Sequence, residues 1–297
     1  MKILDQNGKH VIGLVKSGNM IKLIDILKEI VSESKIVKVP ESALDMLEDI
    51  YNYIDKNIQD ISNKSPKEYN DPYIPSQYKE AIKIKDLKGQ DVNVSVGFYN
   101  NPEDAGAGRM DTRKDIMLVN LAYFGDKEDF LELGEHELVH AMDPKVRDVK
   151  LFGREYAKKG AEPSGSKFVL SKSNPNQKSE LDKNMEKYIK SPWEFDAFTT
   201  PLINKLSKSF GKVGNKKKFK QDMLKLFSEI RTKSIDDILN DDELLGTGWL
   251  FSSREWNQDN WNAILADFKR DLSIIKTWST KPTLYKRFLK RFASEIN

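Results

Sequence analysis

Two of the three histidines in this chain, His136 and His140, stand four residues apart in Leu133-Gly134-Glu135-His136-Glu137-Leu138-Val139-His140, and no other feature restricts the fold as strongly. In a helix, positions four apart lie almost one above the other, so both imidazoles leave the same face. The surroundings predict that helix. Asp126 suits the N-cap, and Glu128 and Asp129 put acids in the first turn, where the helix dipole favours them. Pro144 disfavours a helical conformation at Asp143, so the helix should stop there. A fold built on this element has to bring a second element over its histidine face.

The spacing also suggests a chemistry. Two imidazoles on one face can bind a single ion, and Glu137, offset by one position, is better placed to hold a water than to ligate. That is the arrangement of metal-assisted hydrolysis with a carboxylate base. A catalytic Zn2+ usually has three protein ligands and one open position. The chain has no cysteine, which excludes thiolate ligands, disulfides and cysteine nucleophiles, and His10 lies far upstream in a segment without a motif. The third ligand is therefore expected to be a carboxylate, with Asp143, Glu155, Glu162, Glu180, Glu194 and Asp196 as candidates. Asp143 is on the same short element as the histidines and can hardly approach from another direction. Glu162 sits in a loop rich in glycine and proline. Glu194 opens a new helix after Ser191-Pro192, and the small Ala197 would let that helix pack closely on another. Glu194 could instead form a capping box with Ser191.

The pair His136-Glu137-Leu138-Val139-His140 and Pro192-Trp193-Glu194-Phe195-Asp196-Ala197-Phe198 resembles the gluzincin arrangement of zinc metallopeptidases (zincins). The alanine three residues after the glutamate is similar to small bacterial and phage-borne peptidases. The resemblance covers about residues 92 to 205. It implies His136, His140 and Glu194 as zinc ligands, Glu137 as general base, and a peptide or protein substrate. The interval from His140 to Glu194 is longer than in thermolysin-like enzymes, so residues 145 to 190 read as an insertion. The chain also lacks the downstream histidine with which those enzymes steady the transition state, so Arg154, Tyr156 or Tyr188 would have to serve. Asp143 or Asp196 could orient a ligand histidine, and the strand Ile116 to Phe124 could pair with an extended substrate. The competing reading is a zincin-fold structural or binding protein without proteolytic activity.

Periodicity fills in the rest. Helical spacing runs over Met20 to Val31, Glu41 to Ile58, Ser179 to Ile189, from Ser191 onward, and over Phe219 to Ile230, Asp259 to Thr277 and Thr283 to Ile296. Val92, Val94 and Val96 alternate with polar or small residues as in a strand, and Ile116 to Phe124 is a second, apolar one. Residues 61 to 78 are dense in helix breakers and read as a loop. The expected fold is α+β and mostly helical: a zincin-like core with a small β-sheet packed on the histidine helix, and helical terminal regions. The divisions fall at 1–78, 79–206 with the insertion at about 145–190, and 207–297. With 49 basic against 46 acidic residues, the net charge of +3 is too even for a nucleic-acid or anionic-membrane partner. The aromatics of Tyr285 to Phe292 recur at helical spacing, which assigns them to a buried stripe rather than a stacking surface. No apolar run reaches the ~18 residues of a membrane helix. The opening segment lacks a signal-peptide apolar stretch, so the expectation is a cytoplasmic protein, or a virion-associated one if the phage resemblance holds. Oligomeric state is not legible.

Overall fold

The computed structural model describes residues 3–4, 10–11, 37–104, 106–147, 186–252, 254, 258 and 260–296. The expected helix over Met20 to Val31, most of the one over Ser179 to Ile189, the bulk of the insertion, and Glu155, Glu162, Glu180, Arg154 and Tyr156 lie outside the described residues.

The fold is α+β and mostly helical, with a small four-stranded mixed sheet. Two short strands, β1 (Ile3–Leu4) and β2 (His10–Val11), pair antiparallel. Helix α1 (Glu41–Lys64) follows, outlasting the expected Ile58 and shortening the loop behind it. It buries Leu47, Ile50, Ile54 and Ile61, spaced three, four and seven apart, which is one helical face. The sheet consists of β3 (Ile82–Lys85), β4 (Asp91–Tyr99), β5 (Gly108–Asp111) and β6 (Ile116–Asn120) in the order β3-β4-β6-β5. β4 and β6 run parallel, with Val96 opposite Met117, and the outer pairs are antiparallel. The two strands read from sequence are thus the inner pair.

Ile116 to Phe124 is not one strand throughout. The extended run ends at Asn120, and residues Leu121–Tyr123 form a 3-10 turn. The buried Asn120 side chain explains the break. Its Oδ1 accepts from Asn101 N and Ala122 N, and its Nδ2 donates to the Asn101, Asp104 and Gly106 carbonyls. An amide that serves five backbone groups closes the turn instead of extending the ladder.

Helix α2 (Lys127–Met142) carries the histidines, starts at the Asp126 cap, whose carboxylate accepts from Asp129 N, and ends at Asp143. Helix α3 (Pro192–Lys212) packs along α2, and α4 (Lys216–Glu229), α5 (Trp261–Ser279) and α6 (Pro282–Glu295) complete a helical half. The buried residues form two clusters. One joins α1, the sheet and α2 through Leu47, Ile50, Val94, Phe98, Val119 and Leu138. The other joins α3 to α6 through Phe195, Leu206, Phe227, Phe268, Trp278 and Phe288. Ala197 of α3 belongs to the sheet-side cluster and its neighbour Phe195 to the helical one, so α3 contributes to both cores. Among the described residues, no helix is long and apolar enough to cross a membrane.

Candidate metal centre

Each half of the molecule supplies part of the site. α2 sits close against α1: a Cβ on Gly134 would meet Leu47 Cδ2 at 2.7 Å and Cδ1 at 2.8 Å, so only glycine allows this approach. With that face fixed inward, His136 and His140 point toward α3. α3 turns Glu194 back toward them. Ser191 occupies the N-cap and Pro192 the first turn, but Ser191 makes no side-chain capping bond and its Oγ is buried without a hydrogen-bond partner. The capping box is therefore not formed, and Glu194 is free to face the histidines.

Three atoms converge. Glu194 Oε2 lies 3.2 Å from His136 Nε2 and 3.4 Å from His140 Nε2, and the two nitrogens are 3.2 Å apart. All three residues are largely buried, and Glu194 Oε2 is buried with no aligned N–H donor. Protons account poorly for this triangle, because one N–H can point along only one of its sides. A cation inside it accounts for all three lone pairs. Ligand atoms held about 2.0–2.1 Å from one tetrahedral ion lie about 3.3–3.4 Å from each other. The observed sides, 3.2, 3.2 and 3.4 Å, lie within about 0.2 Å of that figure.

The electrostatics fit a site designed to be charged. Burial alone would favour neutral His140, but the Glu194 carboxylate, aided by Glu137 and Asp143, overrides it and raises the imidazole to about 9. Burial would likewise raise Glu194, yet the His140 charge and contacts to both rings hold it down to about 2. Glu137 is buried beside the pair and acts on His140 through its charge. His136 is backed by the Phe198 ring, 4.6 Å between centroids, and Phe198 in turn meets Tyr188 at 6.1 Å. Next to His136, Glu135 also meets α3, further along it, accepting from Asn204 Nδ2, and burial pushes its carboxyl up to about 7. This second polar link between the helices had no signal in the sequence.

The structure thus brings His136, His140 and Glu194 together with Glu137 alongside. Two other expectations are corrected. Asp196 does not orient a histidine; it accepts from Arg287 Nη2 at 2.8 and 2.7 Å and pairs with Arg291 Nη1 at 2.9 Å, both on α6. And β6 cannot pair with a substrate, because β4 and β5 occupy its two edges. The outer strand on that side is β5, which is packed under α2 so tightly that a Cβ on Gly108 would meet Leu133 Cδ2 at 2.9 Å. Asp129, Glu132 and Asp267 form a second acidic group, but each of the three already pairs with Arg254 or Arg270.

Comparison of the chain with family models, with curated proteins and with solved structures returns no match.

Proposed function

We propose that this chain is a zinc-dependent metallopeptidase of gluzincin type, built on a zincin-like core. The observation that carries the reading is the triangle of His136 Nε2, His140 Nε2 and Glu194 Oε2, with sides of 3.2 to 3.4 Å. Two imidazoles and one carboxylate are a donor set suited to zinc. When bound, such an ion polarises a peptide carbonyl and acidifies a water at its open position. Glu137 is the general base: it takes the proton of the attacking water and delivers it to the leaving amine nitrogen. The burial of Glu137 keeps bulk water from competing for that proton. The substrate adds as a strand to the outer edge of β5, where no described strand pairs.

The test is hydrolysis of an unstructured protein substrate by the purified chain. Cleavage should stop on chelation and return with zinc. Glu137→Gln should keep the ion and lose about 10²–10⁴-fold in rate. Activity that survives chelation, or an unimpaired Glu137→Gln enzyme, overturns the assignment.

A further inference from the structure

The first turn of α3 presents Glu194 without the usual means of holding a helix start. Its N-cap side chain makes no capping bond, and Ser191 Oγ is buried and unpartnered. A turn of this kind frays unless something else pins it. At 100° per residue, Asp196 lies about 200° around the helix from Glu194, on nearly the opposite face. That back face is where α6 grips. Arg287 Nη2 donates to both Asp196 oxygens at 2.8 and 2.7 Å, and its guanidinium also lies over the Phe195 ring, 4.7 Å from the centroid. Arg291, almost wholly buried, adds a 2.9 Å ion pair to Asp196 Oδ1. Between these faces Phe195 packs on Trp278, 4.9 Å between centroids, and Trp278 Nε1 donates to Ile189 O just before the helix.

On the basis of the metal-site reading above, we propose that Arg287 is a positioning residue: through Asp196 and Phe195 it fixes the rotation of the first turn of α3 and so aims the Glu194 carboxylate at the two histidines. Arg287 is a third exposed and touches neither ligand ring nor Glu194, so its effect on the ion has to pass through the helix. The planar guanidinium is the needed shape, since one group donates to the carboxylate through Nη2 and at the same time lays its plane over a ring. Lysine supplies the charge but not that geometry.

The experiment is a double-mutant cycle on zinc affinity, measured by competition with a chromophoric chelator, with circular dichroism and apo-protein melting recorded for every variant. Arg287→Gln should weaken zinc about 10–100-fold, the range for groups that orient a ligand from behind. Arg287→Lys should recover only part of the loss. In a Glu194→Gln background, Arg287→Gln should change zinc affinity by less than about twofold, because the ligand it aims is gone. Equal losses in both backgrounds assign Arg287 a general structural role and overturn the proposal. So does a Glu194-containing Arg287→Gln protein that binds zinc within about twofold of wild type. A wild-type chain that takes up no zinc instead overturns the metal-site reading on which the proposal rests, and the two failures are therefore distinct.

Discussion

The sheet-backed half and the helical half are each closed by apolar packing, but the seam between them, apart from Ala197 of α3 in the sheet-side core, is lined with polar and charged groups. On the sheet side, Val94, Val96, Phe98 and Leu138 are buried against α1 residues such as Leu47 and Ile50. On the helical side Trp278, Phe288 and Phe227 interlock, with ring centroids 5.1 to 5.5 Å apart. Between them, α2 meets α3 and α5 through charged groups. Lys205 of α3 reaches Glu132 of α2 and, at 2.5 Å, Asp271 of α5, while Arg270 of α5 pairs with Glu132. A turn further along α2 come His136 and His140, facing Glu194. Two apolar cores would hold their halves together without fixing how one meets the other. Ionic groups of strict geometry can fix it, and the triad proposed to hold a metal lies on the same seam.

The largest effect expected at the seam comes from the ligands. Glu194→Gln should lower zinc affinity by more than the roughly 100-fold typical of an outer-shell change, while the apolar halves keep their circular dichroism. His140→Ala should do the same, and full zinc occupancy in either variant would separate the seam from metal binding. Next is the ionic link. Lys205→Met removes the buried cation from Asp271 and Glu132, leaving only the more exposed Arg270 beside them, and should cost up to about 3–5 kcal/mol in denaturant unfolding. A loss under 1 kcal/mol would mean the two cores alone set the register.

Ligation should also tie the halves. Zinc at about 100 times its Kd should add about 2.7 kcal/mol to wild type and nothing to Glu194→Gln. A change wholly inside the sheet-backed half should behave differently. Gly134→Ala drives a methyl into Leu47 and should cost about 1–3 kcal/mol whether or not zinc is present. If its cost instead changes with zinc, the α1–α2 contact is part of the site.

The pH response is the last effect, and its sign differs between the free and loaded protein. His140 is raised from 6.5 to about 9, so its contribution to stability is complete below 6.5 and disappears as the pH climbs through 9. Glu194 is lowered from 4.5 to about 2, so its contribution is complete above 4.5 and is lost as the pH falls through 2. The metal-free protein should accordingly gain most from the pair between about pH 4.5 and 6.5. Zinc needs the unprotonated imidazole, so its affinity should rise with pH up to about 9, with a proton released at neutral pH. Calorimetry in buffers of different ionisation enthalpy measures that proton. A pH-independent affinity would argue against His140 as a ligand.

Most of the histidine helix was legible, because its cap, its acids and its proline are local signals, and its observed ends match them. The two inner strands of the sheet were also legible, from Val92, Val94 and Val96 and from the apolar run at 116–124, but their parallel pairing and the stop at Asn120 were not. β3 and β5 were harder. β3 has four residues, and its alternation of Ile82 and Ile84 with lysines is brief. In β5, Gly108-Arg109-Met110-Asp111 has no residue fully buried and no period to read. Glu194 was favoured among the carboxylates by the helix it opens, by Ala197 and by the family resemblance, but a carboxylate three residues after a serine also reads as a cap. The missing Ser191 capping bond and the approach of Glu194 to both histidines are tertiary outcomes, and no local spacing encodes them.

X-ray absorption at the zinc edge of the reconstituted protein addresses the site itself. Two imidazole nitrogens and a carboxylate oxygen at about 2.0–2.2 Å, with one imidazole shell lost in His140→Ala and the carboxylate lost in Glu194→Gln, are the expected result. No stoichiometric zinc, or a spectrum that either substitution leaves unchanged, would contradict a metal centre made by His136, His140 and Glu194.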